Sequence, residues 1–215
     1  MIKLYGFAVS NWYNIIKYAL IEKGLEFEEV HALPSQDEAF KLKSPMGKVP
    51  FIETEEGYCS ESMAILEYLE KLKPSPSLTA SSPFEAAKIH EIARVLDLYI
   101  ETPARRHFGE IFFGGERDET AFKEAKPVIE KGLKALNQLA SFDAYLCGEF
   151  SYADIIAMQV FAYVAPVCQA VYGWDVIAEV PGLQATIDLI NKRDAGKIVA
   201  ADQAIALEAF NESKG

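Results

Sequence analysis

Three short stretches of this chain hold side chains that could do chemistry. Ser10 stands where a strand-like run, Ile2 to Phe7, gives way to a helical one. A hydroxyl there can cap the helix backbone, worth about 1 kcal/mol, or stabilise an anion at the positive end of the helix. Ala39 to Ile52 contains Lys41, Lys43 and Lys48 and no acidic residue. In a chain of formal net charge -11 this is a local basic island, suited to a carboxylate. Glu61-Ser62 opens a later helical stretch directly after a strand. An acid there is stabilised by the helix dipole alone. The pair also offers a carboxylate to an ammonium, and a hydroxyl with free N–H groups to an anion.

The remaining patterns point away from catalysis by protein nucleophiles or metals. Ser151-x-x-Asp154 reads as a capping box at the start of a buried helix, a folding device. His31, His90 and His107 show no ligand spacing such as HExxH. Cys59, Cys147 and Cys168 are odd in number, widely spaced and form no CxxC pair. Neither a disulfide framework nor a zinc site is expected, and a reducing cytoplasm is the expected setting.

The elements that must position these groups fall into two kinds. In the first third, Ile2 to Phe7 and Phe27 to Ala32 read as strands around a helix from 11 to 23. That helix presents Trp12, Ile15, Ile16, Ala19 and Leu20 on one face, with Lys17, Glu22 and Lys23 off it. A short helical stretch from Asp37 to Leu42 follows, then strands Val49 to Glu53 and Tyr58 to Cys59 about a turn at Glu55-Glu56-Gly57. Ser62 to Leu72 closes the module as a helix. From Lys73 to Pro83 the chain has the proline and serine content of an extended linker.

Beyond it only helices are expected. They cover 84 to about 113 with a bend at Pro103, about 120 to 140 with Pro127 as a kink or break, 151 to 165, 183 to 191 and 198 to 210. The stretch 151 to 165 is apolar on nearly every side, which places it at the centre of a bundle. The expected organisation is an α/β domain over 1–76, a linker over 77–83 and an all-helical domain over 84–215. With 215 residues, half of them hydrophobic, the chain has ample core for this plan. The net negative charge argues against nucleic acid and anionic membranes as partners. No apolar run approaches the ~18 residues of a membrane span, and no charged leader with a long apolar stretch opens the chain.

In this two-domain order the chain resembles the cytosolic glutathione S-transferases, specifically serine-type, bacterial-like members. The residues that carry the resemblance are Ser10, Lys48-Val49-Pro50, Glu61-Ser62 and Phe150-Ser151-Tyr152-Ala153-Asp154. It implies a thioredoxin-like N-terminal domain that binds glutathione and a helical-bundle C-terminal domain that supplies most of an electrophile pocket. It implies that the Ser10 hydroxyl donates to the glutathione sulfur, which attacks an apolar electrophile as the thiolate. Asn11, the next residue, is a second candidate donor; Tyr5 and Tyr13 are weaker competitors, Tyr5 because it falls inside a strand.

The resemblance further implies a cis bond at Pro50, backbone pairing of the tripeptide with Val49, and Lys48 on its glycine carboxylate. Glu61 and Ser62 would hold the γ-glutamyl ammonium and carboxylate. Trp12, Tyr99, Arg106 and His107 are the candidates for the electrophile pocket. Glutathione is implied as co-substrate, a homodimer as the assembly and detoxification as the role, with no metal. The alternatives are a catalytically silent binding or scaffold protein of the same fold, and glutathione-dependent reduction, isomerisation or dehalogenation.

Overall fold

The structure is a computed structural model and describes residues 1–212. The chain divides into two compact units, Met1–Leu78 with Asn191 onward, and Thr79–Ile190. The first opens with β1 (Ile2–Gly6), α1 (Asn11–Glu22) and β2 (Phe27–His31). Then come a single helical turn α2 (Glu38–Lys41), β3 (Phe51–Thr54), β4 (Gly57–Ser60) and α3 (Ser62–Leu72). The sheet order is β2-β1-β3-β4, with β1 and β2 parallel and the other pairs antiparallel. This is a thioredoxin-like βαβ unit joined to a β-hairpin and closing helix.

Register explains the burial. Leu4 pairs with Ile52, and both are fully buried on one face beneath Ile15, Ile16 and Leu20 of α1 and Ile65 and Leu69 of α3. Tyr5 pairs with Phe51 on the other face, where the two rings stack at 4.5 Å. The hairpin turns at Glu55-Glu56, with Gly57 at φ 133, a value that glycine tolerates without strain.

The sequence reading placed Lys17 and Lys23 off the buried face, and the structure corrects it. Lys17 is only 4% exposed, because the last helix covers it. Its Nζ lies 2.8 Å from both Glu29 carboxylate oxygens and 2.6 Å from Asp202 Oδ2. Lys23 is 1% exposed; its ammonium donates to Glu70 Oε2 at 2.7 Å and to the Pro76 carbonyl at 2.8 Å. Glu70 in turn accepts from Ser77 Oγ and the Leu78 N–H, so the first part of the presumed linker is fastened to this unit. Removing one member of a buried ion pair strands its partner, at a cost of about 3 kcal/mol. Lys23→Met is therefore expected to lower the melting temperature by about 6–12 °C. A scanning calorimetry trace with an unmoved midpoint would contradict this.

The second unit contains α4 (Pro83–Val95), a π-helical turn (Leu96–Glu101), α5 (Thr102–Arg105) and α6 (Phe108–Phe113). α7 (Glu119–Leu139), α8 (Tyr152–Tyr172) and α9 (Leu183–Asn191) complete it. The helical path passes Pro103 and breaks at Arg106–His107 instead. Pro127 neither ends nor splits α7, and α8 continues through Pro166 beyond its expected end. Both prolines lie on solvent-facing stripes, as do Lys123 and Ala162 four residues earlier, so water can reach the carbonyls they leave unpaired. α8 is long and apolar enough to cross a membrane by composition, yet 67% of its apolar window is buried inside the protein, which makes it a core helix. Gly132 of α7 lets the π turn approach: a β-carbon there would come 2.7 Å from the Tyr99 carbonyl oxygen.

α10 (Asp194–Glu212) was expected in the helical domain, from residue 198. By contact it belongs with the first unit. Asp202 meets Lys17 of α1, and Arg193 pairs with Glu22 at the end of the same helix. Opposite charges far apart in the chain hold this return, and local periodicity carries no trace of it.

Candidate active site

Strand pairing brings the sequence motifs of the first unit to one end of the sheet. Tyr5 pairs with Phe51 and Phe51 with Ser60, so the end of β1, the start of β3 and the end of β4 lie side by side. Ser10 follows the first, Lys48-Val49-Pro50 precedes the second, and Glu61-Ser62 follows the third. Residues separated by fifty positions thus leave the sheet at a common edge.

Ser10 is the N-cap of α1, with extended backbone at φ -78 and ψ 120. Its Oγ accepts the Tyr13 N–H at 3.3 Å, and the side chain is half-buried. Accepting that bond uses a lone pair and leaves the hydroxyl proton free to be donated elsewhere. The neighbouring tyrosines are committed to carboxylates. Tyr5 donates to Glu53, and that bond, together with burial, lifts its pKa to about 12. Tyr13 is buried and donates to Glu29; burial first and the bond second push its pKa up further. Asn11 is 3% exposed, whereas Ser10 keeps an open side.

The basic island resolves into three different environments. Lys41 pairs with Glu38, and the Lys43 ammonium sits 5.8 Å and 5.6 Å from the Tyr5 and Tyr58 ring centres. Lys48 is exposed and has no partner among the described residues. The loop that carries it is held from within: Ser44 Oγ, buried, donates to the Lys48 carbonyl at 2.7 Å. Gly47, at φ 67, lies so close to Ser35 that a β-carbon would come 2.3 Å from its carbonyl oxygen. The Val49–Pro50 peptide is cis.

Glu61 has φ 71 and ψ 116, a region that a residue with a side chain rarely adopts. It occupies the N-cap position of α3, yet its exposed carboxylate caps nothing. A strained, non-capping acid is poorly explained by helix stability, since strain of this kind costs about 1–3 kcal/mol. Ser62 begins the helix proper, where the first N–H groups have no intrahelical acceptor.

The four electrophile-pocket candidates fall in different units and different environments. Trp12 lies half-buried on α1, in the first unit. Tyr99 is 49% exposed in the π turn of the second unit. Arg106 is engaged by Glu124 at 2.9 Å and Asp118 at 3.9 Å. His107 is only 1% exposed, so it presents almost no surface to a substrate. Its Nε2 lies 2.8 Å from the Tyr172 hydroxyl, its Nδ1 3.7 Å from Glu110, and burial lowers its pKa. The capping-box pair is also internal: Asp154 accepts from the Ser151 backbone N–H and hydroxyl, at 2.8 Å and 2.9 Å.

Sequence reasoning missed the supports of the site: Ser44 beneath Lys48, Glu29 beneath Tyr13, and Asn14 in the first turn of α1. Asn14, four residues beyond a candidate cap on a mostly apolar face, was the one with a readable signal. Glu29 had none, since its partner lies on another element.

The comparisons with known proteins bear on the family and the fold. Residues 4–77 match the family model described as "Glutathione S-transferase, N-terminal domain". A glutathione S-transferase of Pseudomonas putida is 36% identical over 213 residues, covering 99% of this chain and 97% of the relative. Glutathione transferase F2 of Populus trichocarpa superposes with a TM-score of 0.80 at 18% identity, over 95% of this chain and 99% of that one. A glutathione S-transferase of Methylobacterium radiotolerans, solved in complex with glutathione sulfonate, gives 0.77 at 24% identity, over 92% and 93%. Sequence similarity across nearly the whole of both chains, on a matching fold, has one reading: the protein belongs to the glutathione S-transferase family.

Proposed function

We propose that this protein is a working, serine-type glutathione transferase that binds glutathione and activates it as the thiolate. The observation that carries the reading is the Ser10 hydroxyl, capped onto α1 through its oxygen and still holding a proton to give, while Tyr5 and Tyr13 are bound to carboxylates. Such a donor, with the helix dipole behind it, favours the anionic sulfur. Lowering a thiol pKa of ~8.5 by ~2 units requires roughly 2.7 kcal/mol. A charge-assisted hydrogen bond supplies about 1.5–3 kcal/mol, so one hydroxyl and one helix end suffice.

Lys48 would meet the glycine carboxylate and Val49 the peptide backbone. Glu61 would meet the γ-glutamyl ammonium, with Ser62 and the first N–H groups of α3 on its carboxylate. The bound sulfur then attacks an electrophilic carbon of a small apolar substrate. A C–S bond forms, and a leaving group departs with its electron pair or an activated double bond takes up the charge. No metal enters this scheme. A homodimer in the cytoplasm, serving detoxification, completes the proposal.

A spectrophotometric pH titration of the thiolate of enzyme-bound glutathione tests it directly. The bound sulfur is expected to ionise about 2 units below the free one; ionisation at the same pH would end the reading. Wild-type protein that passes unretained over immobilised glutathione would favour a scaffold without turnover. The strain at Glu61 gives a second check. Glu61→Gly is expected to raise the melting temperature by a few degrees, by relieving about 1 kcal/mol of strain. The same change is expected to weaken glutathione binding about tenfold or more, the equivalent of about 1.4 kcal/mol for a lost charged contact. Calorimetric titration and a melting curve on one preparation read both effects.

A further inference from the structure

Asn14 is wholly buried one turn into α1, and its amide is only half used. Nδ2 donates to the Ala8 carbonyl at 2.8 Å, whereas Oδ1 is buried with no hydrogen-bond partner. Among the described residues, four bonds at Phe7, Ala8 and Ser10 tie this loop to the start of the helix. Three belong to any capped turn: Ser10 N–H to the Phe7 carbonyl at 2.9 Å, Asn14 N–H to the Ser10 carbonyl at 3.0 Å, and Tyr13 N–H to Ser10 Oγ at 3.3 Å. The fourth is the Asn14 side chain, which reaches back past the cap to the middle of the loop.

Stability alone does not account for this residue. One neutral hydrogen bond contributes less than a stranded buried acceptor costs. An apolar side chain there would leave no stranded oxygen. What the amide does supply is a fixed entry of the chain into Ser10. The strength of a hydrogen bond falls steeply as its angle departs from linear, so the direction of the Ser10 hydroxyl matters more than its mere presence.

We propose that Asn14 is a positioning residue for Ser10: by holding the Ala8 carbonyl it locks the Phe7–Ser10 loop and aims the Ser10 hydroxyl at the glutathione sulfur. This rests on the reading of Ser10 given above. Asn14 itself touches neither substrate. Its loss should weaken thiolate stabilisation and leave the grip on the tripeptide, through Lys48, Val49, Glu61 and Ser62, intact.

The test uses the full-length protein as Asn14→Leu, which keeps the γ-branched shape, and Asn14→Ala, which removes the amide without adding bulk; both lose the donor. The readouts are the bound-thiol titration and separate kcat and KM for glutathione. In either variant the bound thiol should ionise about half a unit to one unit higher, a three- to tenfold loss of thiolate when measured about one pH unit below the wild-type midpoint, where the thiolate is the minor form. kcat should fall by a similar factor while KM stays within about twofold. In a Ser10→Ala background the Asn14 substitution should add little, because the group it aims is gone. The inference is overturned if a folded variant ionises glutathione like the wild type, if the two substitutions add fully, or if neither variant folds, which would make Asn14 a folding residue. Ser10→Ala alone separates the two levels of the argument. If it leaves the bound thiol unchanged, the reading of Ser10 fails; if it raises the pKa and Asn14→Leu does not, only the positioning role fails.

Discussion

Glutathione bound to the Ser10→Ala variant is expected to ionise about one to two units higher than on the wild type, and turnover is expected to fall about 10- to 100-fold. The variant removes a charge-assisted hydrogen bond worth about 1.5–3 kcal/mol, and each 1.36 kcal/mol is a factor of ten in rate. The helix dipole persists, so some activation should survive. Binding of the tripeptide should stay within a few-fold, because its carboxylates and ammonium are assigned to other residues. Ser10 also caps α1, so the variant should lose about 1 kcal/mol of stability, a shift of about 2–4 °C in melting temperature. That is too small to explain a hundredfold loss of rate, and a melting curve separates the two effects. Asn11→Ala is the control. Should it do the greater damage to turnover, the sulfur donor is Asn11 and the assignment to Ser10 is wrong.

Asp154→Ala is expected to be the most destabilising single change considered, with no direct part in the chemistry. Asp154 is fully buried, and its two oxygens accept from the Leu146 N–H at 2.8 Å, the Ser151 N–H at 2.8 Å and the Ser151 hydroxyl at 2.9 Å. Burial pushes its carboxyl above the usual carboxylate range, against the pull of those three donors. Alanine would leave all three donors buried without an acceptor, at about 1–3 kcal/mol each. A total of about 4–6 kcal/mol is a large part of the about 5–15 kcal/mol that holds a typical protein folded. The variant should be recovered mainly as insoluble protein, or melt more than about 10 °C below the wild type. Any soluble fraction should still ionise bound glutathione as the wild type does, because Asp154 belongs to the second unit and Ser10 to the first. A stable variant with a raised thiol pKa would reverse this assignment and give Asp154 a catalytic role.

The two residues illustrate what a linear reading can reach. Ser10 and Ser151 were both legible as caps, because a cap is a local event. An extended residue with a short oxygen side chain precedes a periodic apolar run, and the partners lie within three positions. The helix from Ser62 to Leu72 was legible end to end for the same reason, its apolar face recurring every three to four residues between a strand and a proline-rich stretch. The order of strands and helices, an α/β module followed by helices, came from such local signals, and the resemblance supplied its thioredoxin-like character.

The hidden features join distant parts of the chain. Lys17 read as a surface residue because a lysine is seldom buried without a partner, and its own helix offers no acid three or four positions away. It is buried because Asp202, 185 positions away, returns on the last helix to meet it. Tyr13 read as a possible sulfur donor until Glu29, on the neighbouring strand, was seen to hold its hydroxyl. His107 read as a pocket residue, and the Tyr172 hydroxyl 65 positions later takes its ring into the interior.

The amino-acid order by itself determined which segments would be strands or helices and where the helices would begin. Those outcomes depend on propensity, periodicity and capping over a few residues. Which charged groups would be buried, which hydroxyl would remain free to give its proton, and that the last helix would return to the first unit were matters of tertiary structure. Each depends on two groups meeting at hydrogen-bonding distance across the fold. In that meeting the cost of desolvating a charge is offset only by a particular partner in a particular place.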